Sequence, residues 1–323
     1  MVIPVLDSNT YAQRLLAAKR SGEGALYAFY EHRLGAITND PKQMLIPVDD
    51  HLVHRGDGVF ESLKAEHGRI YLLDEHLARL EKSAQGLRLD LPCPLAELRE
   101  IIVAVAGAAG PEAMNLRVIA GRGPGGLGID PDESLHSSLY VIAYRFTPKP
   151  EDYYRQGLTA CRSAVPAKSG PEAQIKSTNY IANMLMVREA RERGVDLSVS
   201  FDGNGCLAEA AIANVCIVDE RGALAVPEFT HALKGTTILR AMDLLRREMP
   251  VAQRPIKEAE LGAAREMLVL GTTFDCTAIV NYEGRPVGEG RPGPVAARIL
   301  ELLRADLRAN GTPFALPGEG AGR

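Results

Sequence analysis

The sequence predicts a two-domain α/β protein, and three observations carry that expectation. Short β-rich runs alternate with longer runs of helical period. The 323 residues, 46% of them hydrophobic, are more than a single core usually organises. A connector with two prolines in three residues, Phe146-Thr147-Pro148-Lys149-Pro150-Glu151-Asp152, falls between the halves. The chain therefore reads as an N-terminal extension over 1–24, a small α/β domain over 25–146, a linker over 147–155 and a larger domain over 156–323.

In chain order, strands are expected at Ala25–Tyr30, Leu116–Ala120, Leu139–Tyr144 and Met267–Leu270. Helices are expected at Asp74–Leu87, Tyr180–Arg193, Thr237–Glu248 and Pro294–Asn310. The tail from Gly311 is rich in glycine and proline and is expected to be mobile. With 37 basic and 41 acidic residues, the formal charge of -4 gives no general attraction to nucleic acid or anionic membrane. A pocket for one small anion needs only a few local donors. The five cysteines, Cys93, Cys161, Cys206, Cys216 and Cys276, are scattered and odd in number, which suits reduced thiols better than a disulfide framework or a zinc knuckle. Asp7, Arg14, Lys19 and Arg20 leave no apolar block for a signal peptide. The longest apolar run, Ile101 to Gly110, is about half a membrane span. A soluble cytoplasmic protein is the expectation.

Five motifs bear on chemistry. The cluster Gly121-Arg122-Gly123-Pro124-Gly125-Gly126-Leu127-Gly128 matches GxGxxG in form, but Ile129-Asp130-Pro131-Asp132 follows where a dinucleotide fold needs a helix. It reads as a tight loop that borders a site. In Asp49-Asp50-His51-Leu52-Val53-His54-Arg55-Gly56-Asp57, the two histidines would point to opposite faces of a strand, and Arg55 would repel a cation, so no metal is expected. In Gln174-Ile175-Lys176-Ser177-Thr178-Asn179-Tyr180, Ser177 or Thr178 can cap the following helix and Gly194 can end it. Lys176 is either a solvated surface lysine or, in a polar pocket beside other cations, an amine of lowered pKa able to form a Schiff base. Glu209 sits in a small, apolar run after the Asp202-Gly203-Asn204-Gly205 turn. A carboxylate there needs a partner, either an ordinary Arg or Lys or a protonated pyridine nitrogen. Gly235-Thr236-Thr237 and Gly271-Thr272-Thr273 each offer N–H groups and hydroxyls that suit a phosphate.

In this order the motifs resemble those of the class IV, fold-type IV pyridoxal-5′-phosphate (PLP) enzymes, among them branched-chain aminotransferases, D-amino-acid aminotransferases and 4-amino-4-deoxychorismate lyases. The resemblance runs from about Tyr27 to about Leu303. It adds Gly56-Asp57-Gly58-Val59-Phe60-Glu61, Glu75-His76-Leu77-Ala78-Arg79-Leu80, Asn214 and Gly288-Glu289-Gly290 to the segments above. It implies a small N-terminal α/β domain and a larger domain with a barrel-like sheet, the cofactor between them, and a homodimer. It implies Lys176 as the Schiff-base lysine and proton shuttle, Glu209 at the pyridine nitrogen and Tyr180 at the ring hydroxyl. Arg79 would hold the phosphate, with Gly235, Thr236, Thr237 and Thr272 completing the cup. Phe60 and Thr273, in the matching motifs, would border the substrate.

The substrate end departs from the nearest patterns. Leu127 and Ile129 stand where bacterial D-amino-acid aminotransferases carry a carboxylate-trapping Arg and His. Arg55 stands where branched-chain enzymes have a tyrosine, Arg117 lies near their carboxylate-contacting arginine, and the loop from Arg122-Gly123 resembles that of the lyases. One of Arg55, Arg117 and Arg122 is therefore expected to bind the substrate carboxylate. The leading expectation is an aminotransferase acting on an amino acid and a 2-oxo acid. The alternatives are a pyruvate-eliminating lyase on the same cofactor and a non-enzymatic scaffold. The last would require loss of Lys176, Glu209 or Arg79, and all three are present.

Overall fold

The computed structural model describes residues 1–315. Two sheets organise them. The first has seven antiparallel strands in the spatial order Thr312–Pro313, Arg69–Ile70, Gly58–Glu66, Met114–Gly121, Ser138–Arg145, Leu26–Glu31 and Ala36–Thr38. Helices Leu73–Gly86 and Leu95–Ala109 cover it. The first of them buries Leu73, His76, Leu77, Leu80, Ser83 and Ala84, a spacing of three and four that forms one helical stripe. Leu98, Ile102, Val105 and Ala106 do the same on the second helix and join the core of the sheet.

The second sheet has nine strands, and six of them close on themselves. Their order is Asn214–Val218, Glu266–Gly271, Asp275–Tyr282, Leu158–Arg162, Leu197–Phe201 and Leu207–Ala210, and Glu209 pairs back with Asn214 to complete the ring. The closed sheet is the barrel the resemblance implied. Side chains alternate across its wall, as strand geometry requires. Val215, Ile217, Met267 and Val269 fill the inside. Cys216, Val218, Leu268 and Leu270 face outward onto helices Thr236–Leu245 and Pro294–Asn310. Burial on both faces explains why these strands read as continuous apolar runs.

Buried charge pairs tie the two sheets together. Lys64 of the first sheet places Nζ 2.7 and 2.8 Å from the carboxylate oxygens of Asp275, at the start of a barrel strand. The Tyr71 hydroxyl donates to Asp306 on the last helix, and Arg240 pairs with the same carboxylate. The segment around Lys176 adds a backbone seam: Phe60 N donates to Lys176 O at 2.9 Å and Thr178 N to Gly58 O at 2.9 Å.

Local structure departs from expectation at four places. His51–Arg55 is a helix, not a strand, because the Asp50 side chain accepts from Leu52 N and Gly56 ends the turn in the left-handed region. His51 and His54 therefore share a face, with ring centroids 5.0 Å apart. Neither Ser177 nor Thr178 caps the following helix; Tyr180 occupies that position, and Thr178 Oγ1 donates to the carbonyls of Gly56 and Gly58. Within the proline-rich connector, Glu151–Gln156 forms a short helix opened by Pro150. The beginning of the tail is ordered by pairing of Thr312–Pro313 with Arg69–Ile70; its remainder, 316–323, lies outside the described residues.

Candidate active site

A narrow cleft opens where the two sheets meet. Lys176 reaches into it from an extended segment just before helix Ile181–Glu192. Its Nζ lies 3.2 Å from the Tyr180 hydroxyl and 4.6 Å from the centre of the Phe60 ring. Phe60 and Tyr180 meet edge to face, with centroids 5.0 Å apart. Burial, reinforced by the Arg79 guanidinium, lowers the lysine to about 8, although Glu61 and Glu209 pull the other way. The surface-lysine reading is thereby set aside, and the amine is poised close to neutrality.

At one end of the cleft the polar groups interlock. Arg79 makes a two-point pair with Glu61, Nε to Oε1 at 2.8 Å and Nη2 to Oε2 at 2.7 Å, and its Nη1 donates to Lys234 O. His76 Nδ1 lies 2.6 Å from the same carboxylate, and its Nε2 lies 3.2 Å from Thr236 Oγ1. Burial alone would raise Glu61, yet Arg79 and His76 hold it at about 2. Burial pushes His76 down, against the pull of Glu61. Gly235 then starts helix Thr236–Leu245, so Thr236 and Thr237 face the cleft at a helix N-terminus, and Thr272 faces it from the end of a barrel strand. Glycine is required at 235, since a Cβ there would sit 1.9 Å from Asn214 Oδ1. Asn214 in turn donates to Leu233 O at 2.8 Å.

The other end holds Glu209. Its Oε2 accepts from Leu233 N at 3.0 Å, and among the described residues it forms no ion pair. Burial raises it, so the ordinary Arg or Lys partner considered from sequence is absent among the described residues. Beside it are two residues that the sequence did not single out. Lys168 places its Nζ 5.2 Å from the Tyr180 ring centre. Asn183 donates to Ala211 O, and its Oδ1 is buried with no partner. Asn183 follows Tyr180 by three residues and so shares its helix face, a signal the sequence did contain. Lys168, eight residues before Lys176 on an irregular segment, gave none. Glu61 and His76 stood inside the quoted motifs without a role.

The three candidate arginines have separate fates. Arg122 is engaged with Asp57 (3.0 and 3.1 Å) and with the carbonyls of Leu87 and Arg88. Arg55 donates to Leu127 O and Gly128 O and so clasps the glycine loop. That loop is also held by His51 at Gly126 O and by Glu133 at Gly128 N. Of the three, Arg117 alone keeps a buried donor, Nε, without a partner among the described residues. It lies 5.0 Å above the Phe60 ring, and Nη2 donates to Ser62. Thr273 is half-buried beside Thr272 but does not line the cleft.

A family model for amino-transferase class IV matches residues 58–282. The chain belongs to the class IV aminotransferases. A chloroplastic D-amino-acid transaminase of Arabidopsis thaliana is 31% identical over 95% of this chain and 83% of its own. A putative branched-chain-amino-acid aminotransferase of Methanocaldococcus jannaschii is 27% identical over 83% of this chain and 93% of its own. The solved T.th. branched-chain amino acid aminotransferase with pyridoxamine 5′-phosphate superposes with a TM-score of 0.83 at 25% identity, covering 88% of this chain and 95% of that one. The same protein is also solved with N-(5′-phosphopyridoxyl)-L-glutamate. This aminotransferase is a PLP-dependent transaminase of fold type IV. Its cleft fits the cofactor: the buried carboxylate Glu209, which has no ion-pair partner among the described residues, the Arg79 and threonine donors, and a lysine lowered to about 8 all line it. No helix among the described residues is long and apolar enough to cross a membrane.

Proposed function

We propose that this transaminase moves an amino group between an amino acid of the branched-chain or D type and a 2-oxo acid. In this reading Lys176 is both the covalent anchor of PLP and the carrier of the transferred proton. The observation that carries it is the Lys176 amine, lowered to about 8 and 3.2 Å from the Tyr180 hydroxyl, between the Arg79 cup and Glu209. When bound, the cofactor supplies an electron-withdrawing ring that acidifies the amino acid's Cα–H. Arg79, Thr236, Thr237, Thr272 and the helix start at Gly235 hold the phosphate. Glu209 keeps a proton on the ring nitrogen, and Tyr180 steadies the ring hydroxyl. Lys176 Nζ would take the proton from the amino acid's Cα and could deliver it to the cofactor carbon on the other side of the amino nitrogen, which is general acid–base catalysis. Arg117 is the arginine we assign to the substrate carboxylate, since its Nε alone of the three guanidinia is buried and unpartnered. Phe60, beneath the Arg117 guanidinium, walls the same side. The lyase reading leaned on the Arg122 loop, and Arg122 is fully engaged with Asp57.

A homodimer is supported by apolar side chains exposed near the cleft, Ile181, Met184 and Leu185 on one helix and Ile212 at the rim. The five unpaired thiols suit a reducing, cytoplasmic compartment.

The test is an absorption titration of the PLP-loaded enzyme with L- and D-amino acids. Conversion of the protein-bound cofactor band by one amino acid and its recovery with a 2-oxo acid are expected, and the panel gives the handedness. A band that no amino acid converts would point to elimination instead. Lys176→Ala is expected to abolish the band and to lower turnover by on the order of 10⁴-fold; a retained band would remove Lys176 from the reading.

A further inference from the structure

The small domain carries a second cluster of ligating side chains, none of which lines the cleft. His32 lies in the turn after strand Leu26–Glu31, Cys93 just before helix Leu95–Ala109, and Glu97 in the first turn of that helix. One ring nitrogen, the thiol sulfur and one carboxylate oxygen all lie within 4.8 Å of one another. Bonds of roughly 2.0–2.3 Å to a common centre would draw these atoms to about 3.3–3.8 Å of one another, a closure the exposed Glu97 side chain can supply. Cys93 is held by Pro92 and Pro94, whose rings fix the local backbone. Cys93 is buried, His32 half-buried and Glu97 exposed, so the cluster is walled on one side and open to water on the other. Among the described residues, neither the thiol nor the Glu97 carboxylate has a hydrogen-bonding or ionic partner. The side-chain hydrogen bond that His32 makes among the described residues is with the Tyr30 hydroxyl, 3.1 Å from Nδ1. That hydroxyl can orient the imidazole, as neighbouring hydrogen-bonding groups do for metal-binding histidines.

We propose that His32, Cys93 and Glu97 form a zinc site. Sulfur, imidazole nitrogen and carboxylate oxygen together suit Zn²⁺, whereas calcium and magnesium take oxygen ligands. Three protein ligands leave a fourth, solvent-facing position for water. The ion clasps the end of a sheet strand to the start of the helix packed on that sheet, two segments distant in sequence. It therefore stabilises the small domain without entering transamination.

The experiment uses untagged, PLP-loaded enzyme stripped of divalent metal. Calorimetric titration with Zn²⁺ is expected to show saturable, equimolar binding. Cd²⁺ is expected to give a thiolate-to-metal absorption in the ultraviolet, clear of the cofactor band. Cys93→Ser abolishes that absorption while turnover is unchanged, which shows the variant is folded. Glu97→Gln, a change at an exposed position, weakens Zn²⁺ binding, and Tyr30→Phe weakens it about 10-fold. Absence of saturable Zn²⁺ binding overturns the site. So does a Cd²⁺ absorption that survives in both Cys93→Ser and His32→Ala, or Zn²⁺ binding untouched by Glu97→Gln.

Discussion

The two ends of the cleft are built in opposite ways. At the Arg79 end the protein satisfies its own charges. Glu61 holds both Arg79 and His76, and His76 lies against Thr236. As a proposed phosphate cup, this end is already held in place, so little ordering cost would remain at binding. At the Glu209 end the polar groups are left short. Glu209 has one backbone N–H, Asn183 Oδ1 has no partner, and Lys168 stands over an aromatic ring without a counter-ion among the described residues. Groups in that state are costly alone and settle when a ligand of complementary charge enters. One end is preorganised by the fold, and the other waits for the molecule it binds.

Removing the waiting charge gives the largest expected effect on this contrast. Glu209→Gln keeps the shape and takes away the ion. We expect turnover to fall by about 10²–10³-fold, the range for losing one electrostatic partner in an active site, with cofactor still bound through the cup. Equal losses of cofactor affinity and turnover would mean that Glu209 serves retention and not chemistry, and the contrast between the ends would collapse.

The preorganised end is sharpened by Glu61→Gln, which touches no ligand. Arg79 and His76 would lose the group that aims them. Cofactor affinity is expected to drop about 10–100-fold, as for other residues that orient a binding group, with turnover at saturating PLP close to normal. The sign of the pH effect follows from the same pair. Glu61 sits at about 2 instead of its ordinary 4.5. Its stabilisation is therefore complete above about 4.5 and is lost as pH falls toward 2. Acid unfolding of the wild type and of Glu61→Gln should differ in that window; coincident curves would show that the pair contributes nothing to the fold.

The same contrast accounts for how legible the protein was. The side chains assigned to a cofactor from sequence sit in short, ordered motifs: Lys176, Arg79, Glu209 and the two Gly-Thr-Thr segments. All but Thr273 face one cleft. The closed barrel was legible only through the resemblance, because strands buried on both faces show no alternation. Residues that act through other residues were not legible. Nothing in the string tells that Arg122 gives its donors to Asp57, or that Lys168 comes over the Tyr180 ring from an irregular segment. The His51–Arg55 helix differs from the expected strand because five residues are too few to show a period, and its cause is the Asp50 cap. Lys64 and Asp275, whose pairing joins the sheets, stand 211 residues apart and mark neither end in the sequence.

Arg117 gives the next smaller effect. With its Nε free and its plane above Phe60, Arg117→Met should raise the KM for the amino acid about 10-fold, roughly the contribution of one charge-assisted hydrogen bond. The kcat should hold, because the carboxylate is bound equally in ground and transition states. An unchanged KM would return the assignment to a residue outside this chain's own cleft, such as one from a second copy.

The smallest effect is a shift in a pH profile, and it tests the lysine on which the comparison turns. If Lys176 anchors the cofactor as proposed, capture of PLP by apoenzyme requires its neutral amine. Burial and Arg79 lower that amine to about 8. The capture rate should therefore climb with pH below about 8 and level off above it, whereas an ordinary lysine would keep climbing to about 10.4. Arg79→Met removes the neighbouring cation but leaves the burial, so the break should move up by a fraction of a unit to one unit. If the break stays in place, burial alone sets the lysine, and the interlocked end does not reach across the cleft to tune it.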